Sequence, residues 1–395
     1  MAGLEGLRIL DISTGISGPF CARLLADGGA HTIKIEDPAG GDPTRQEGVV
    51  TGQGGDHQTS PLYVFLNQNK QGLSLDISCS SGQEIFKKLV AKSDVVVESF
   101  KPGTMEQLGL GYSDLTAVNP GIILASITQY GQTGPYRQYQ GDHLAISALG
   151  GWSFSFGEQD REPLQPGFPV MYYMAGTYGA IGILAAIRGR REDGRGQHVD
   201  VSAQEACLNM LAYPQVLAQY NCPVPVRSFT ASMQSFYVKA KDGWVALNHL
   251  SALEWENLCA LIGAFHLAED PTLLYDIQRK RSILPELLGI AAEWAKDKTS
   301  NEVFHAAQEL RVPAGIPYTP KEMLCSDQFI ARDFFRKVTQ PGLGEFSQPR
   351  NPFKSISWKT DWQGAPDAGQ DNEDVLGSIG LQQEDLRELR NAGVI

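Results

Sequence analysis

The sequence predicts an α/β protein with a Rossmann-like parallel-sheet large domain and a small α+β domain. Three observations lead to this prediction. Short apolar runs alternate with helical patterns over the first half of the chain, the length of 395 residues suits two domains, and a hairpin pattern followed by helices begins near residue 235. We predict domain bounds of 1–220 for the first part of the large domain, 221–325 for a linker and the small domain, and 326–395 for a return to the large domain.

The large domain is predicted from alternating strands and helices. The predicted strands are Leu7–Ile12, Thr32–Glu36, Asp94–Glu98, Ile122–Ile127 and His198–Ser202. The predicted helices are Phe20–Asp27, Gln83–Lys92, Met105–Leu110, Tyr173–Ile187 and Gln204–Gln219. This order implies a parallel sheet covered on both faces, which binds ligands at the carboxyl ends of its strands. We therefore expect three connecting segments to gather at that edge: Thr14–Pro19, Asp37–Arg45 and Ser99–Gly103.

The small domain is predicted from a hairpin and a set of helices. Asn221–Ser228 has the composition of a linker, and two strand patterns flank the turn Lys241-Asp-Gly. The helices expected to follow are Leu253–Ile262, Leu284–Lys296 and Asn301–Leu310, with a last helix at Gln383–Asn391.

Composition excludes several classes of partner. The net charge of −12 argues against nucleic acid, because phosphate backbones are bound by basic surfaces. The six cysteines contain no CxxC pair, which argues against a zinc site and a disulfide framework and fits a cytoplasmic location. The start of the chain shows no apolar signal segment, and the uncharged run Pro163–Ile187 favours a buried helix over a membrane span. We expect neither a metal site nor a membrane partner.

Eight segments in a fixed order carry a resemblance to a known family. They are Leu4–Asp11, Gly18–Phe20, Ile33–Arg45, Asn67–Asp76, Asp94–Gly111, Tyr130–Tyr136, Gly194–Ser202 and Val312–Gly315. In this order the chain resembles, nearly end to end, the class III CoA-transferases of the CaiB/BaiF type. The resemblance implies transfer of coenzyme A between carboxylic acids, with CoA and acyl-CoA as substrates and no covalently bound cofactor.

The resemblance also implies a CoA site. Glycine-rich turns after strands let backbone amides approach an anion, and lysine and arginine pair with phosphate. The implied CoA-binding residues are Ile16, Ser17, Lys34, Arg45, Asn69, Lys70, Ser99, Phe100, Lys101 and Arg137. The alternative for each cation is an ordinary solvated surface position. Gln71 and Lys101 stand where the family usually has arginine, so we expect weaker binding of the CoA phosphates.

The family's catalytic aspartate is the residue that this chain lacks. In the family its carboxylate attacks the thioester, giving a mixed anhydride and then an enzyme–CoA thioester. The matching segment Gly167–Gly176 carries Tyr172 at that place, and no acidic residue occurs from Pro163 through Arg191. A phenol with a pKa of about 10 attacks thioesters poorly at neutral pH. We therefore predict no catalytic residue in this chain, with Asp142 as the alternative for a relocated nucleophile.

A chain without the nucleophile implies a partner. The resemblance implies an interlocked dimer with its active sites at the subunit interface. The chain resembles the subunit without nucleophile of the heteromeric succinyl-CoA:benzylsuccinate CoA-transferases, whose partner is a homologous subunit carrying the aspartate. Two alternatives stay open, namely a self-sufficient transferase or isomerase using Asp142, and a non-catalytic acyl-CoA-binding scaffold. His143 and His198 are expected to be locally hydrogen-bonded or packed histidines rather than catalytic bases.

Overall fold

The structure is a computed structural model that describes residues 3–48, 60–157, 160–220, 235–274, 276–341, 343–354 and 362–395. The chain divides into two compact units. The first unit contains residues 1–152, 166–212 and 330–395, and the second contains residues 153–165 and 213–329. The predicted linker Asn221–Ser228 lies outside the described residues.

The first unit is built on a six-stranded parallel sheet, which confirms the predicted α/β class. Its strands are β1 (Arg8–Asp11), β2 (His31–Glu36), β3 (Lys70–Ser74), β4 (Val95–Glu98), β5 (Ile123–Thr128) and β6 (His198–Ser202), in the order β3-β2-β1-β4-β5-β6. Successive residues of β1 pack into hydrophobic cores on opposite faces of the sheet, Ile9 into one core and Leu10 into the other. The sheet is therefore covered on both faces, which explains the largely apolar sequences of β4 and β5.

Ten helices occur in the described residues up to 220. They are α1 (Ser17–Asp27), α2 (Pro61–Asn67), α3 (Ser80–Val90), α4 (Thr104–Gln107), α5 (Tyr112–Val118), α6 (His143–Leu149), α7 (Trp152–Ser155), α8 (Val170–Asp193), α9 (Ala203–Asn209) and α10 (Ala212–Gln219). The sequence predicted one helix where α9 and α10 now stand. Pro214 lies in the first turn of α10 and has no N–H to donate to the preceding turn, so the two helices do not join.

Helix α8 lies against α1 and β5 because two of its glycines permit close approach. A Cβ at Gly176 would lie 2.5 Å from the carbonyl oxygen of Ser17, and one at Gly179 would lie 2.6 Å from Ile127 Cδ1. This packing places the first turn of α8 beside the start of α1. By length and composition alone α8 could also cross a membrane, which is weak evidence because the core helices of soluble proteins pass the same test.

The second unit contains a small antiparallel sheet with helices. The strands are β7 (Ser235–Lys239), β8 (Trp244–Asn248) and β9 (Ala314–Gly315), in the order β7-β8-β9. The helices are α11 (Ala252–Ile262), α12 (Phe265–Ala268), α13 (Ile277–Ala295), α14 (Ser300–Glu309) and α15 (Pro320–Leu324), and α16 (Asp327–Ala331) follows at the border of the two units. The core of this unit contains Trp255, Leu258 and Leu287.

The last part of the chain returns to the first unit. It contains the antiparallel hairpin of β10 (Phe335–Gln340) and β11 (Gly344–Pro349), then α17 (Asn372–Gly377) and α18 (Gln383–Asn391). The last two helices cover one face of the parallel sheet through Leu376 and Leu386. Helix α18 has the bounds that the sequence predicted, whereas the hairpin was not predicted because its strands are largely polar.

Candidate active site

A cavity of about 320 Å³ opens at the carboxyl edge of the parallel sheet. Its lining comes from the end of β5, from the segments that follow β1, β2, β4 and β5, and from the starts of α8 and α9: Thr14, Gly15, Ile16, Ser17, Glu47, Ser99, Ile127, Thr128, Gln129, Tyr172 and Ala203. This is the edge at which open parallel sheets bind ligands. Three of the residues implied for CoA binding, Ile16, Ser17 and Ser99, lie in this lining.

Two of the segments expected to gather at this edge are joined by a reciprocal pair of hydrogen bonds. The Thr14 amide donates to Ser99 Oγ over 2.9 Å, and the Ser99 hydroxyl donates to the Thr14 carbonyl over 3.0 Å. Helix α1 begins directly after this loop, at Ser17, and no described side chain caps it. The amides of its first turn and its dipole therefore favour an anion at this end of the cavity.

Tyr172 lines the cavity from the first turn of α8, where its amide donates to the Pro169 carbonyl over 3.0 Å. Burial raises the pKa of the phenol above its ordinary value, and the neighbouring Asp142, Tyr130 and Glu47 raise it further. The phenolate is thus less available here than in water. Both effects act against Tyr172 as a nucleophile.

Asp142, the alternative acid, has a structural role in this geometry. It precedes α6, and its Oδ1 accepts a hydrogen bond from the Ala145 amide over 2.7 Å, which makes it the N-cap of that helix. Its charge still acts on the phenol of Tyr172. It lies outside the cavity lining.

Among the described residues that line the cavity, the acid is Glu47, which no sequence pattern singled out. It is exposed and follows the short 3-10 turn Pro43–Arg45. The sequence showed only that the segment around Tyr172 has no acid. A contribution from a residue so distant along the chain carries no local signal.

The two histidines differ in their surroundings. His198 Nε2 lies 2.9 Å from Ser126 Oγ, and its ring stacks on Tyr112, so it is hydrogen-bonded and packed as predicted. His143 lies with its ring centroid 6.4 Å from that of Tyr172. Its Nε2 is buried and has no hydrogen-bond partner among the described residues, unlike the satisfied local histidine that was expected.

Lys34 and Lys70, two of the implied CoA-binding residues, have their ammonium groups in the interior of the first unit. Lys34 Nζ contacts Asp42 Oδ2 at 2.6 Å and also donates to the Ser13 carbonyl. Lys70 Nζ donates to Asp11 Oδ2 at 2.7 Å, and burial lowers the pKa of this ammonium to about 8. Both lysine side chains and both carboxylates are 0% exposed. These contacts tie both lysines to internal partners, and contact of either lysine with a phosphate stays a prediction.

Asn69 and Arg45 are also held by internal partners. The Asn69 amide nitrogen donates to Asp27 Oδ1 over 2.6 Å, and its oxygen accepts from the Gln363 amide over 2.8 Å. The Arg45 guanidinium donates to both oxygens of Glu36, over 2.8 and 2.7 Å. These two bonds stabilise the turn between α2 and β3, in which Asn69 lies. Arg45 orders the segment that presents Glu47.

The remaining implied residues lie on two adjoining loops. Phe100 and Lys101 follow β4, and Arg137 lies on the loop after β5. Gln138 of the second loop donates to the Pro102 carbonyl over 3.0 Å, which joins the loops. Lys101 and Arg137 are exposed, so they are the implied cations that an incoming phosphate can reach.

Glu98 anchors the first of these loops. Its Oε2 accepts from the Phe100 amide over 2.6 Å, and the side chain is 2% exposed. Burial raises the pKa of this carboxyl to about 7, against the opposing effect of hydrogen bonds from Ser126 and Phe100, and Glu106 and Asp200 raise it further.

This pKa predicts a loss of stability as the pH rises. Between pH 4.5 and about 7 the folded chain holds a proton on Glu98 that the unfolded chain has already lost, so the free energy of unfolding falls through that window. Glutamine does not titrate, so the free energy of unfolding of Glu98→Gln lacks this pH dependence. We expect the difference in the free energy of unfolding between the two chains to shift in favour of the variant by about 2 to 3 kcal/mol between pH 5 and pH 8. Urea denaturation of both chains at the two pH values measures this. If the two chains differ in the free energy of unfolding by the same amount at both pH values, the assigned pKa is contradicted.

Comparisons with known proteins extend over nearly the whole chain. A family model described as CoA-transferase family III matches residues 4–372. The succinyl-CoA–D-citramalate CoA-transferase of Chloroflexus aurantiacus is 33% identical over 403 residues, covering 99% of this chain and 98% of that protein. The beta subunit of the succinyl-CoA–L-malate CoA-transferase of the same organism is 32% identical over 408 residues, again with 99% and 98% covered. A CAIB/BAIF family protein from Brucella suis superimposes with a TM-score of 0.83 at 27% identity, covering 95% of this chain and 99% of that one.

Proposed function

The chain belongs to CoA-transferase family III, whose members use CoA thioesters as substrates, and we propose that it is the subunit without nucleophile of a heteromeric transferase. In this proposal a homologous partner subunit supplies the aspartate. The observation that carries the proposal is Tyr172 at the place that the family resemblance assigns to that aspartate. One relative is itself named as the beta subunit of a transferase, so assembly from different subunits occurs among the proteins that this chain resembles.

The chemistry explains why a carboxylate is needed. The nucleophile's oxygen attacks the thioester carbonyl, the carbon–sulfur bond breaks and CoA leaves as a thiolate. The thiolate then attacks the enzyme's own carbonyl carbon in the anhydride, which releases the donor acid and leaves CoA on the enzyme for the acceptor carboxylate. A phenol can form an ester but has no carbonyl carbon of its own to carry CoA. Tyr172 therefore cannot complete the second half of the exchange.

The cavity lining supports a polar acid as substrate. Hydroxyl and amide side chains dominate it, at Thr14, Ser17, Ser99, Thr128 and Gln129. Such groups pair with carboxylate and hydroxyl oxygens better than with a benzyl group. The two relatives described above are named for succinyl-CoA and for the hydroxy acids citramalate and malate. We propose succinyl-CoA as donor and a hydroxy dicarboxylate as acceptor, in preference to benzylsuccinate.

The surface of the first unit supports assembly with another chain. Large apolar side chains are exposed on α6, α8 and the turn after α9, and on the segment before α8: Leu144, Leu149, Phe168, Ile181, Leu184 and Met210. Apolar side chains exposed in such number on neighbouring elements are typical of interaction surfaces. An interlocked dimer with the aspartate-bearing subunit would cover them.

Reconstitution with a partner tests the proposal. The partner to test is a family member that retains the aspartate, sought first among the genes adjacent to the one for this chain. We expect the mixture to exchange labelled succinate with succinyl-CoA at least about 100 times faster than this chain alone, because removing a nucleophile costs covalent enzymes far more than that. Replacing the partner's aspartate by asparagine should abolish the rate. If the mixture is no faster than the sum of its parts, the heteromer is wrong.

One observation favours a second candidate, a self-sufficient transferase. Glu47 places a carboxylate in the cavity lining together with Tyr172, whereas Asp142 is used as a helix cap. In that case Glu47→Gln would abolish exchange by the isolated chain, and Asp142→Asn would not.

A further inference from the structure

Three arginines lie together at the open end of the β10–β11 hairpin of the first unit: Arg332, Arg336 and Arg350. Arg332 is exposed in the turn before β10. The hairpin pairs Arg336 with Gln348, and the Arg350 amide donates to the Phe334 carbonyl over 3.1 Å, which continues the pairing beyond β11. Alternate residues of a strand share a face, so Arg336 and Arg350 project from the same face of the hairpin as diagonal neighbours.

One carboxylate, that of Asp333, pairs with this arginine cluster. Its Oδ2 lies 2.9 Å from Arg336 Nη2 and 4.0 Å from Arg350 Nη1. Burial lowers the pKa of Arg350, Arg336 and Arg332 lower it further, and Asp333 opposes them. In the part of the chain that the structure describes, no second carboxylate acts on Arg350. Arginine stays protonated in proteins, so three positive charges and one negative charge leave the cluster with a formal charge of +2.

The guanidinium groups also keep hydrogen-bond donors that the chain does not use. Arg336 Nε and Arg350 Nε are buried, and neither has an acceptor among the described residues. Arg350 Nη2 donates to the main-chain carbonyl of Arg332 over 2.7 Å, a bond that does not engage the Arg332 guanidinium. Buried donors are almost always paired in folded proteins, and guanidinium donors pair best with the oxygens of an anion.

The backbone holds the cluster in place despite the repulsion between its like charges. Arg23 of α1 donates to the Pro349 carbonyl over 2.9 Å, which fixes the end of β11 just before Arg350. Asp333 has a φ of 51°, in the left-handed region that residues other than glycine seldom adopt. Such conformations persist where the surroundings enforce them, and they concentrate at ligand-binding segments.

We propose that this arginine cluster binds a phosphate group, either as the free ion or as a phosphate monoester. A phosphate monoester carries about 1.5 to 2 negative charges at neutral pH, which balances the charge of the cluster. Its oxygens can accept from several guanidinium groups at once, two bonds from each. A single carboxylate brings one charge and two oxygens, which would leave part of the cluster uncompensated. None of the three arginines lines the cavity beside Tyr172, so the site is separate from the one proposed for CoA transfer.

Calorimetric titration of the full chain with inorganic phosphate, and separately with glycerol 3-phosphate, tests this site in chloride buffer of constant ionic strength. We expect saturable binding, and the tighter ligand of the two identifies the free ion or the monoester as the natural form. Arg332→Gln and Arg336→Gln should each weaken that binding at least about ten-fold. Arg332→Gln keeps the carbonyl that Arg350 uses and removes a repulsive charge, so its melting temperature without phosphate should not fall.

The matched control is Lys337→Gln, which removes one positive charge from the residue next to Arg336. The Lys337 side chain is 65% exposed, and its ammonium lies 3.4 Å from Glu345 on the opposite face of the hairpin. This variant should bind phosphate as tightly as the unsubstituted chain. Three results would each overturn the proposal: no saturable binding of either ligand, unchanged affinity in both arginine variants, or an equal loss in Lys337→Gln.

Discussion

Replacing Tyr172 by aspartate is expected to give the isolated chain CoA-transferase activity that the unsubstituted chain lacks. We expect a gain of about 100-fold or more in the exchange of labelled succinate with succinyl-CoA. That gain is small compared with the roughly 10⁶-fold decrease in kcat that removal of the nucleophile causes in other covalent enzymes. The variant restores a carboxylate at the one position that the family resemblance assigns to the nucleophile.

The surroundings of Tyr172 are suited to such a carboxylate. The residue is third in α8, and negative charge in the first turn of a helix is stabilised by the helix dipole. The neighbouring loops are already ordered by the bonds between Thr14 and Ser99. Asp142 and Glu47 oppose the new charge electrostatically, as they do that of the phenolate, so the recovery should be partial.

Tyr172→Asn is the matched control, because it removes the phenol and has the size of aspartate without its charge. It should stay inactive. Activity in both variants would show that removal of the phenol ring, and not the carboxylate, restores turnover. If neither variant gains activity and both keep the fold, the cavity lacks more than its nucleophile.

The second large effect is expected at Lys34, where Lys34→Met should lower the free energy of unfolding by about 3 to 5 kcal/mol. The substitution leaves Asp42 as a buried carboxylate without its ammonium partner, and Asp11 and Glu36 lose the same compensating charge. Burial alone would lower the pKa of Lys34, but these three carboxylates outweigh it and raise the pKa, so the lysine is charged in the folded chain. Urea or guanidinium denaturation at neutral pH measures the loss.

Lys101→Met is the control for this prediction, because Lys101 is an exposed cation beside the site. Its removal should change the free energy of unfolding by no more than about 0.5 kcal/mol and should weaken CoA binding. The opposite pattern, in which Lys34→Met leaves the free energy of unfolding unchanged but abolishes CoA binding, would show that Lys34 is a phosphate ligand.

The sequence predicted the sheet well wherever its strands are rich in β-branched and other apolar residues. Strands β4 and β5 are such cases, and a sheet buried on both faces selects this composition. Strand β3 reads Lys-Gln-Gly-Leu-Ser, so no pattern distinguished it from a loop. The same ambiguity placed Lys70 in a turn, when it stands at the start of a buried strand and pairs with Asp11 on β1, which lies beyond β2 in the sheet.

The site was predictable where it depends on order along the chain and not where it depends on distant contacts. Ser99 directly follows β4 and Ser17 begins the helix after β1, and topology alone brings such residues to the carboxyl edge of the sheet. Lys34 also lies close to that edge, but its direction depends on Asp42 and on the Ser13 carbonyl, which no local pattern reveals. Glu47 reaches the cavity because Glu36 and Tyr63 bind Arg45 and order its segment.

The measurement that tests the central claim most directly is the mass of the isolated chain after incubation with succinyl-CoA. Family chemistry leaves CoA covalently bound to the nucleophile, so a chain with its own nucleophile gains the mass of the bound CoA. We predict no covalent adduct on this chain and a full adduct on the Tyr172→Asp variant. A CoA adduct on the unsubstituted chain, mapped by peptide analysis to Glu47 or Asp142, would show that it carries its own nucleophile and would contradict the account.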